Sequence, residues 1–386
     1  MKLGKRAWLL LALAPFLAGC GDFWAPPSSS SSGTTSTTLS SGYFYVINQE
    51  TMQLVAYDIN SGSLNKINAY TLSAAPYAIA IAPGGSFLYV STIAGIYIYT
   101  IGSNGTLTIG NNGGVISSDP ASAIAVDTSG SWLVDAVQGT SGVQVDAIPI
   151  TSTGAYTGGT VGSQQYSLSN ATVYQLAISS DDQNVLIASG QGGTLVIPFT
   201  SGNTNPLAST ARVIAVAATG GSAQSVAVDP SLRLFYVGET LASGGTTGGL
   251  RVFNYSSLSG TLTQASGSPI ASGGLSPRAI LPIASGDYVY VANGKGAGSS
   301  GNVTGFSITG SSSYTVAQSS SVSAGIEPYG LAEDSTSNFV LAVSEGGSPD
   351  LDAYIFDTTT AGQLDSTITS TTGTDPTEAV AVAAAP

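Results

Sequence analysis

One position of a repeating sequence pattern holds polar and aromatic residues, while the positions around it are mostly small or apolar. Its seven residues are Tyr77, Ser122, Tyr174, Gln224, Arg278, Tyr329 and Glu378. The planar guanidinium of Arg278 suits a carboxylate or a phosphate, and the tyrosines offer flat faces to a sugar or another ring. Glu378 would accept a proton if burial raised its pKa. These residue types predict a site for a small polar ligand.

Further polar residues come where neighbouring strands should end on the same face, and they are Glu239, Asn293, Lys295 and Glu345. The loops at that end are longest at 238–249, 294–302 and 344–350, on the side that carries Arg278. Binding residues concentrate on loops held by a rigid scaffold. We therefore expect a pocket beside Arg278, in which Asn293 and Lys295 join the seven residues above.

Two interpretations of these residues stay open. If the pocket is catalytic, Arg278 would orient a substrate and Glu239 or Glu378 would activate water. Polar residues at strand ends are also ordinary, and Arg278 could simply form a solvated ion pair with Glu378 or Glu327.

The sequence contains no histidine and a single cysteine, Cys20. A Ser-His-Asp triad, a histidine-ligated zinc ion and an imidazole base are therefore excluded, as is a disulfide within the chain. We expect no cofactor and no metal ion. Acidic pairs such as Asp181-Asp182 are typical of hairpin turns.

The polar position belongs to a repeat of about 45 to 54 residues, the length of a four-stranded propeller blade. The copies of its first strand read I-A-I at 79–81, I-A-V at 124–126, L-A-I at 176–178, V-A-V at 226–228, A-I-L at 279–281, L-A-E at 331–333 and V-A-V at 380–382. A small residue in this strand suits the crowded centre of a propeller, and the copy with Leu281 is the exception to that rule. The segment from Pro76 to Tyr99 contains three antiparallel strands of one repeat, joined by tight turns.

The ends of the chain predict how the ring closes. The sequence stops at Pro386, just after a first-type strand, and the body opens at 43–47 with a second-type strand. The last strand should therefore pair with the first, which removes the exposed sheet edges. We predict an all-β fold over residues 43–386, a seven-bladed β-propeller of four-stranded antiparallel blades.

A leader and a spacer precede this body. Residues 1–19 combine a basic start with an apolar run too short to span a bilayer, and they end in Leu-Ala-Gly before Cys20. This order resembles the lipobox of bacterial lipoproteins, which implies cleavage before Cys20 and lipidation of its thiol. Residues 20–42 are rich in Ser, Thr and Gly and should form a flexible linker. We expect a lipid-anchored protein of the bacterial cell envelope, on the periplasmic side or at the surface of the outer membrane.

Charge excludes one class of partner. Three of the nine cations lie in the leader, so residues 20–386 carry six cations against 22 carboxylates, a net charge of −16. Nucleic acid should repel such a body. We expect a monomer that contacts the membrane through Cys20 and a small molecule or a protein through its top face.

Several motifs are similar to those of the lactonase-type seven-bladed propellers, which include 6-phosphogluconolactonase-like and YVTN-repeat proteins. They are Tyr-Val at 89–90, 236–237 and 290–291, and Gly-Thr-Leu-Thr at 105–108 and 260–263. The lactonase branch carries Gly-Pro-Arg-His at the start of one inner strand and Asn-Glu at the end of the next strand. Here those segments read Ser-Pro-Arg-Ala at 276–279 and Asn-Gly at 293–294. The resemblance implies lactone hydrolysis, with Arg278 and Asn293 retained and the His and Glu replaced.

Three functions are consistent with the sequence. The first is a propeller that binds a ligand or protein at the channel mouth, the second is a lactone hydrolase that uses Arg and Glu, and the third is a structural scaffold at the cell surface.

Overall fold

The computed structural model describes residues 42–60, 63–256, 260–294, 299–311, 313–347, 349–369 and 375–386. The leader, Cys20, nearly all of the predicted linker and Lys295 lie outside the described residues. The described strands form seven antiparallel blades, which confirms the predicted seven-bladed β-propeller.

The strands follow one another blade by blade. Blade 1 contains β1 (Tyr43–Asn48), β2 (Gln53–Asn60) and β3 (Ser63–Thr71). Blade 2 contains β4 (Pro76–Ile81), β5 (Phe87–Thr92), β6 (Gly95–Ile101) and β7 (Leu107–Ile109). Blade 3 contains β8 (Ala123–Val126), β9 (Trp132–Gln138), β10 (Gly142–Pro149) and β11 (Gly162–Ser167). Blade 4 contains β12 (Gln175–Ile178), β13 (Asn184–Ala188), β14 (Thr194–Pro198) and β15 (Arg212–Ile214).

The remaining blades are more elaborate. Blade 5 contains β16 (Ala223–Val228), β17 (Leu234–Ser243), β18 (Thr247–Ser256), β19 (Thr261–Gln264) and the short β20 (Ile270–Ala271). Blade 6 contains β21 (Ser276–Pro282), β22 (Tyr288–Gly294), β23 (Ser300–Thr309) and the first part of β24 (Thr315–Glu333). Blade 7 contains the end of β24, β25 (Phe339–Gly346), β26 (Leu351–Phe356) and β27 (Leu364–Thr369). The 19-residue β24 is continuous, so it is both the outer strand of blade 6 and the inner strand of blade 7.

The last strand, β28 (Ala379–Ala384), closes the ring as predicted. It pairs antiparallel with β1, from Phe44 opposite Ala384 to Asn48 opposite Ala379. The Ala385 N–H donates to the Tyr43 carbonyl (2.9 Å) and extends the ladder by one residue. Blade 1 is therefore built from both ends of the body.

The core consists of seven apolar clusters, one at each boundary between neighbouring blades. This arrangement follows from strand alternation, because successive side chains point to opposite faces of a blade and each face packs on a neighbour. The cluster between blades 7 and 1 includes Phe339, Val343 and Phe44, all almost fully buried. The ring is thus packed without a gap at its closing seam.

Tyrosines of the repeat also connect the blades. The hydroxyl groups of Tyr45 and Tyr290 donate to carbonyls in the next blade, Gly105 (3.0 Å) and Gly362 (2.8 Å). The Tyr89 hydroxyl makes the same contact with the Gly154 carbonyl. In these three blades the tyrosine of the second strand therefore forms a hydrogen bond to an outer turn of the next blade, whereas the buried hydroxyl of Tyr236 has no such partner.

No helix in the described part of the chain is long and apolar enough to cross a membrane.

Candidate functional site

A β-bulge in the inner strand creates the polar position of each repeat. In blades 2, 5, 6 and 7 the ladder skips one residue, and the skipped residues are Tyr77, Gln224, Arg278 and Tyr329. In blades 3 and 4 two successive residues oppose a single partner, and the first of each pair is Ser122 or Tyr174. A bulged residue leaves the ladder and its side chain is redirected. The same local irregularity therefore aims six side chains at the channel.

The seventh bulge differs from the sequence alignment by two residues. Ala379 pairs with Asn48 and Ala381 with Ile47, so the skipped residue is Val380. Ala383, rather than Ala381, lies opposite Tyr45, as Ala80 lies opposite Tyr89. The structure thus places Val380 at the seventh ring position and Glu378 two residues before it.

These bulges surround a cavity of about 420 Å³ at the channel mouth. Its polar and aromatic lining consists of Tyr77, Ser122, Tyr174, Gln224, Arg278, Tyr329, Gln49, Gln175 and Glu345. Six of the seven predicted ring residues are therefore brought together. Val380 and Ala279 are among the apolar lining residues.

Arg278 is held against two residues of β24. Its guanidinium carbon lies 4.9 Å from the ring centroid of Tyr329, in a cation–π arrangement. Its Nη2 is 3.9 Å from Oε2 of Glu327, an ion pair too long for a direct hydrogen bond. Its Nε is buried and has no hydrogen-bond partner. Arg278 therefore retains donor capacity for a ligand.

The same surroundings affect the pKa of Tyr329. Burial raises the pKa of Tyr329, while the positive charge of Arg278 lowers it and the carboxylates of Glu345 and Glu327 raise it. The phenol therefore stays neutral at physiological pH and is available as a hydrogen-bond donor. Arg278 and Glu345 line the same cavity as Tyr329, and Glu327 forms the ion pair with Arg278.

Glu327 occupies space that a side chain at position 294 would need. A Cβ built at Gly294 would collide with the Glu327 carboxylate. Glu327 itself has a φ of +49°, a left-handed conformation that is costly for a residue other than glycine. Position 294 is where the lactonase pattern carries its Glu. A carboxylate from the neighbouring blade thus stands where the family's carboxylate is missing.

The other predicted site residues lie outside the cavity lining. Glu239 is fully buried, and its carboxylate accepts from Arg251 Nη1 and from the Ala217 N–H (both 2.7 Å). Asn293 is also fully buried, and its Nδ2 donates to the Ser272 carbonyl (2.7 Å). Lys295 lies outside the described residues. Glu239 and Asn293 therefore make internal contacts that support the loops behind the site.

Glu378 belongs to an acidic group at the seam of blades 7 and 1. Burial, together with the charge of Asp375, raises the pKa of Asp352 to about 7 and that of Asp350 to about 6. The backbone of Glu378 donates a hydrogen bond that lowers the pKa of Asp350, whereas its carboxylate raises it. Glu378 therefore faces these carboxylates and not the channel.

The raised pKa values of this acidic group predict that the protein becomes less stable as the pH increases. The folded protein holds a proton on Asp352 up to about pH 7, whereas an unfolded chain releases it near pH 4. The native state binds more protons between these values, so ionisation costs stability there, on the order of a few kcal/mol. We expect the melting temperature to decrease from pH 5 to pH 8.

The matched variants for this prediction are Asp352→Asn and Asp365→Asn. Asp352→Asn should melt higher than the parent at pH 8 and flatten the pH profile, since the amide does not titrate. Asp365 is exposed on β27, and Asp365→Asn should leave the profile unchanged. A parent profile that rises between pH 5 and pH 8 would contradict the assignment.

Two cavity residues were not predicted from the sequence. Gln49 directly follows β1 and donates through Nε2 to the Pro76 carbonyl of blade 2 (3.4 Å). Gln175 follows the bulged Tyr174 and accepts from the Val226 N–H of blade 5 (3.1 Å). Their position next to a strand end or a bulge was the signal available in the sequence.

The comparison with protein families decides the classification. The family model described as lactonase, seven-bladed β-propeller, matches residues 37–380. This chain belongs to that family. Comparison with curated protein sequences finds no match.

Two solved structures of similar shape come from bacteria. The periplasmic gluconolactonase of Pseudomonas aeruginosa has a TM-score of 0.67 at 16% identity, covering 90% of this chain and 99% of that one. A proposed 6-phosphogluconolactonase from Bacteroides uniformis has a TM-score of 0.67 at 15% identity, covering 89% and 99%. At this identity the likeness shows a common fold. These two proteins share this chain's fold over nearly their whole length.

Proposed function

We propose that this lactonase-family propeller binds a small sugar acid, or the lactone of one, at the channel mouth. The observation that carries the proposal is the guanidinium of Arg278 on the wall of the cavity, whose ion pair with Glu327 (3.9 Å) is too long for a direct hydrogen bond. A guanidinium forms its strongest hydrogen bonds with anionic oxygens. The cavity of about 420 Å³ is in the usual range for small-molecule sites.

The rest of the lining supports a sugar rather than a flat apolar ligand. Tyr77, Tyr174 and Tyr329 present aromatic faces, and Gln49, Ser122 and Gln224 add amide and hydroxyl groups. Aromatic faces with hydrogen-bonding groups between them match the alternating C–H and O–H groups of a sugar.

Calorimetric titration with gluconate and sorbitol tests this proposal. The two molecules share a six-carbon polyol chain and differ by one carboxylate. We expect gluconate to bind at least about 10-fold more tightly, since a charge-assisted hydrogen bond contributes about 1.5–3 kcal/mol. Equal affinities, or no binding of gluconate and 6-phosphogluconate, would overturn the proposal.

Lactone hydrolysis is the second candidate, and Glu327 is the observation that favours it. Its carboxylate lies 3.9 Å from Arg278, in the space where the lactonase pattern has a Glu. In this scheme Glu327 takes a proton from water as the oxygen attacks the lactone carbonyl. Arg278 stabilises the resulting oxyanion, and the ring oxygen leaves and receives the proton. Lactone and water are thereby converted to the open-chain acid.

Turnover of glucono-δ-lactone separates binding from catalysis. If the hydrolase assignment is correct, Glu327→Gln should lower kcat by 100-fold or more, about the contribution of a general base. Asp365→Asn, exposed on the outer strand β27 and absent from the cavity lining, is the control and should retain full activity. No turnover by the parent above the spontaneous rate would eliminate the hydrolase and leave the binding function.

We also propose that the chain is lipid-anchored through Cys20 and acts as a monomer outside the cytoplasm. The basic, apolar and small-residue order of residues 1–19 supports this location. The similar Pseudomonas aeruginosa protein is described as periplasmic, which agrees with it.

Fatty-acid labelling in a bacterial host tests the anchor. The parent should carry label and sediment with membranes, whereas Cys20→Ala should carry none, because Cys20 is the single thiol. Ser30→Ala in the spacer is the control and should label normally. Labelling of Cys20→Ala would refute the anchor.

A further inference from the structure

Three aspartates form a cluster between blades 2 and 3, away from the channel mouth. Carboxylate oxygens of Asp119, Asp135 and Asp146 all lie within 4.8 Å of one another. Asp135 is on β9 and Asp146 is directly opposite on β10, while Asp119 lies on the connection that enters β8. The first two are fixed by the sheet, so they cannot move apart to relieve their repulsion.

Asp135 is a buried carboxylate without a protein partner. Its exposed fraction is 0%, and neither of its two oxygens has a hydrogen-bond partner. Burying an ionised carboxylate is expensive unless it is paired or coordinates a metal. One of its oxygens lies within 4.8 Å of an oxygen of each of the other two carboxylates, which increases the cost.

The other two carboxylates are oriented by neighbouring side chains. Gln144 Nε2 donates to Oδ2 of Asp146 (2.7 Å), which leaves its Oδ1 buried without a partner. Ser117 Oγ donates to Oδ2 of Asp119 (2.6 Å). Contacts of this kind hold metal ligands in position in known sites. The three ion pairs formed by described residues lie elsewhere, so no cation of the described chain neutralises the cluster.

The other blades show that packing does not require an acid here. Residues in register with Asp135 on the second strand of the other blades are Val46, Val90, Ile187, Val237, Val291 and Ala342. Asp135 is thus the one charged residue among seven equivalent positions. An apolar residue would fill this place without cost, which indicates a role beyond packing.

From this geometry we propose that Asp119, Asp135 and Asp146 bind one calcium ion between blades 2 and 3. Calcium prefers six to eight oxygen ligands at about 2.3–2.6 Å, so two of its ligand oxygens can be nearly 5 Å apart. Magnesium requires about 2.0–2.1 Å and a tighter octahedron, so we expect these strand-bound carboxylates to bind it less well. Asp119 is half-exposed and provides the route from solvent.

The ion would stabilise a specific boundary of the ring. The connection that carries Asp119 is attached to blade 2, where the Ile96 N–H donates to the Ser117 carbonyl (2.9 Å). Asp135 and Asp146 belong to blade 3. Calcium therefore links the two blades where the neighbouring side chains of blade 3, Leu133 and Ile148, already pack on blade 2.

Calorimetry and thermal unfolding of the chelator-treated full chain test the site. We expect one calcium ion per chain, an affinity better than about 1 mM, and at least about 10-fold weaker magnesium binding. Saturating calcium should raise the melting temperature by about 5 °C. Without calcium, burial and the neighbouring carboxylates raise the pKa of Asp135, so protonation is the competing way to neutralise it.

Two ligand variants and one control make the test decisive. Asp135→Asn and Asp146→Asn should each weaken calcium binding by 100-fold or more and remove the thermal shift. Asp135→Asn should also melt above the calcium-free parent, because it removes a buried charge. Asp365→Asn, remote on β27, should bind like the parent. Absence of calcium binding by the parent up to about 10 mM, or undiminished binding by both ligand variants, would overturn the proposal.

Discussion

Ala383→Pro is expected to prevent closure of the propeller and to abolish its cooperative unfolding transition. Ala383 lies opposite Tyr45 in the β28–β1 ladder, two residues before Ala385, whose N–H donates to Tyr43. Hydrogen-bonded pairs alternate along an antiparallel ladder, so the Ala383 N–H also points at β1. Proline removes that donor in the innermost strand of blade 1. Opening the ring exposes the apolar seams on either side of blade 1.

The decrease in the free energy of unfolding should approach the whole stability of a domain, about 5 kcal/mol or more. Deletion of residues 377–386 should have the same effect, since it removes β28 entirely. Calorimetry or circular dichroism during heating measures both.

Ala384→Pro is the matched control for this prediction. It introduces a proline into the same strand one residue later, where the backbone N–H points away from β1 and towards the channel. We expect a smaller loss and a retained transition. If Ala383→Pro or the deletion melts like the parent, β28 does not stabilise the ring.

Arg278→Gln is expected to weaken gluconate binding by about 100-fold while leaving sorbitol binding nearly unchanged. Glutamine retains a hydrogen-bond donor, but it is shorter and loses the charge and the planar fork. Loss of charge-assisted hydrogen bonds of about 2–3 kcal/mol corresponds to this factor. Arg278→Lys should give an intermediate result, because the charge remains and the two-point geometry is lost.

Arg212→Gln is the control for Arg278→Gln. Arg212 lies on the outer strand of blade 4, where Nη2 donates to the Leu262 carbonyl (3.3 Å), and it does not line the cavity. Its removal should not change either titration. An Arg278→Gln protein that still prefers gluconate over sorbitol would show that the carboxylate binds elsewhere.

The fold could be predicted because every blade repeats the same local information. Alternating apolar residues, a small central residue and a turn recur in each copy, and closure followed from the strands at the two ends. The turn after Ala82 illustrates the local control, since Gly85 has a φ of +66°, which suits glycine. Neither the repeat length nor the alternation depends on distant contacts.

The ring of site residues was predictable up to its last copy. A slip of one residue would turn a strand's apolar face outward, but a slip of two leaves the facing pattern intact. The sequence Val-Ala-Val-Ala-Ala at 380–384 is compatible with either alignment. Only pairing with β1 shows that Val380, and not Glu378, reaches the channel.

Glu327 and Asp135 show what local patterns do not reveal. Glu327 contacts Gly294 because two blades come together there, and no spacing in the sequence encodes that contact. Asp135 had a visible signal, an acid inside the apolar run Trp-Leu-Val-Asp-Ala-Val at 132–137. Its meaning required the knowledge that Asp146 and Asp119 lie against it.

The continuous strand β24 has a mechanical consequence for the ligand site. The other fully described connections between blades leave one strand before starting the next, whereas β24 passes from blade 6 into blade 7 as one strand. Small rotations of blades should therefore concentrate at the other boundaries. Arg278 of blade 6 and the facing Glu327 and Tyr329 of β24 lie across this stiff seam. Small movements of the blades can therefore change the width of the channel mouth while the distances from the Arg278 guanidinium to Glu327 and Tyr329 stay constant.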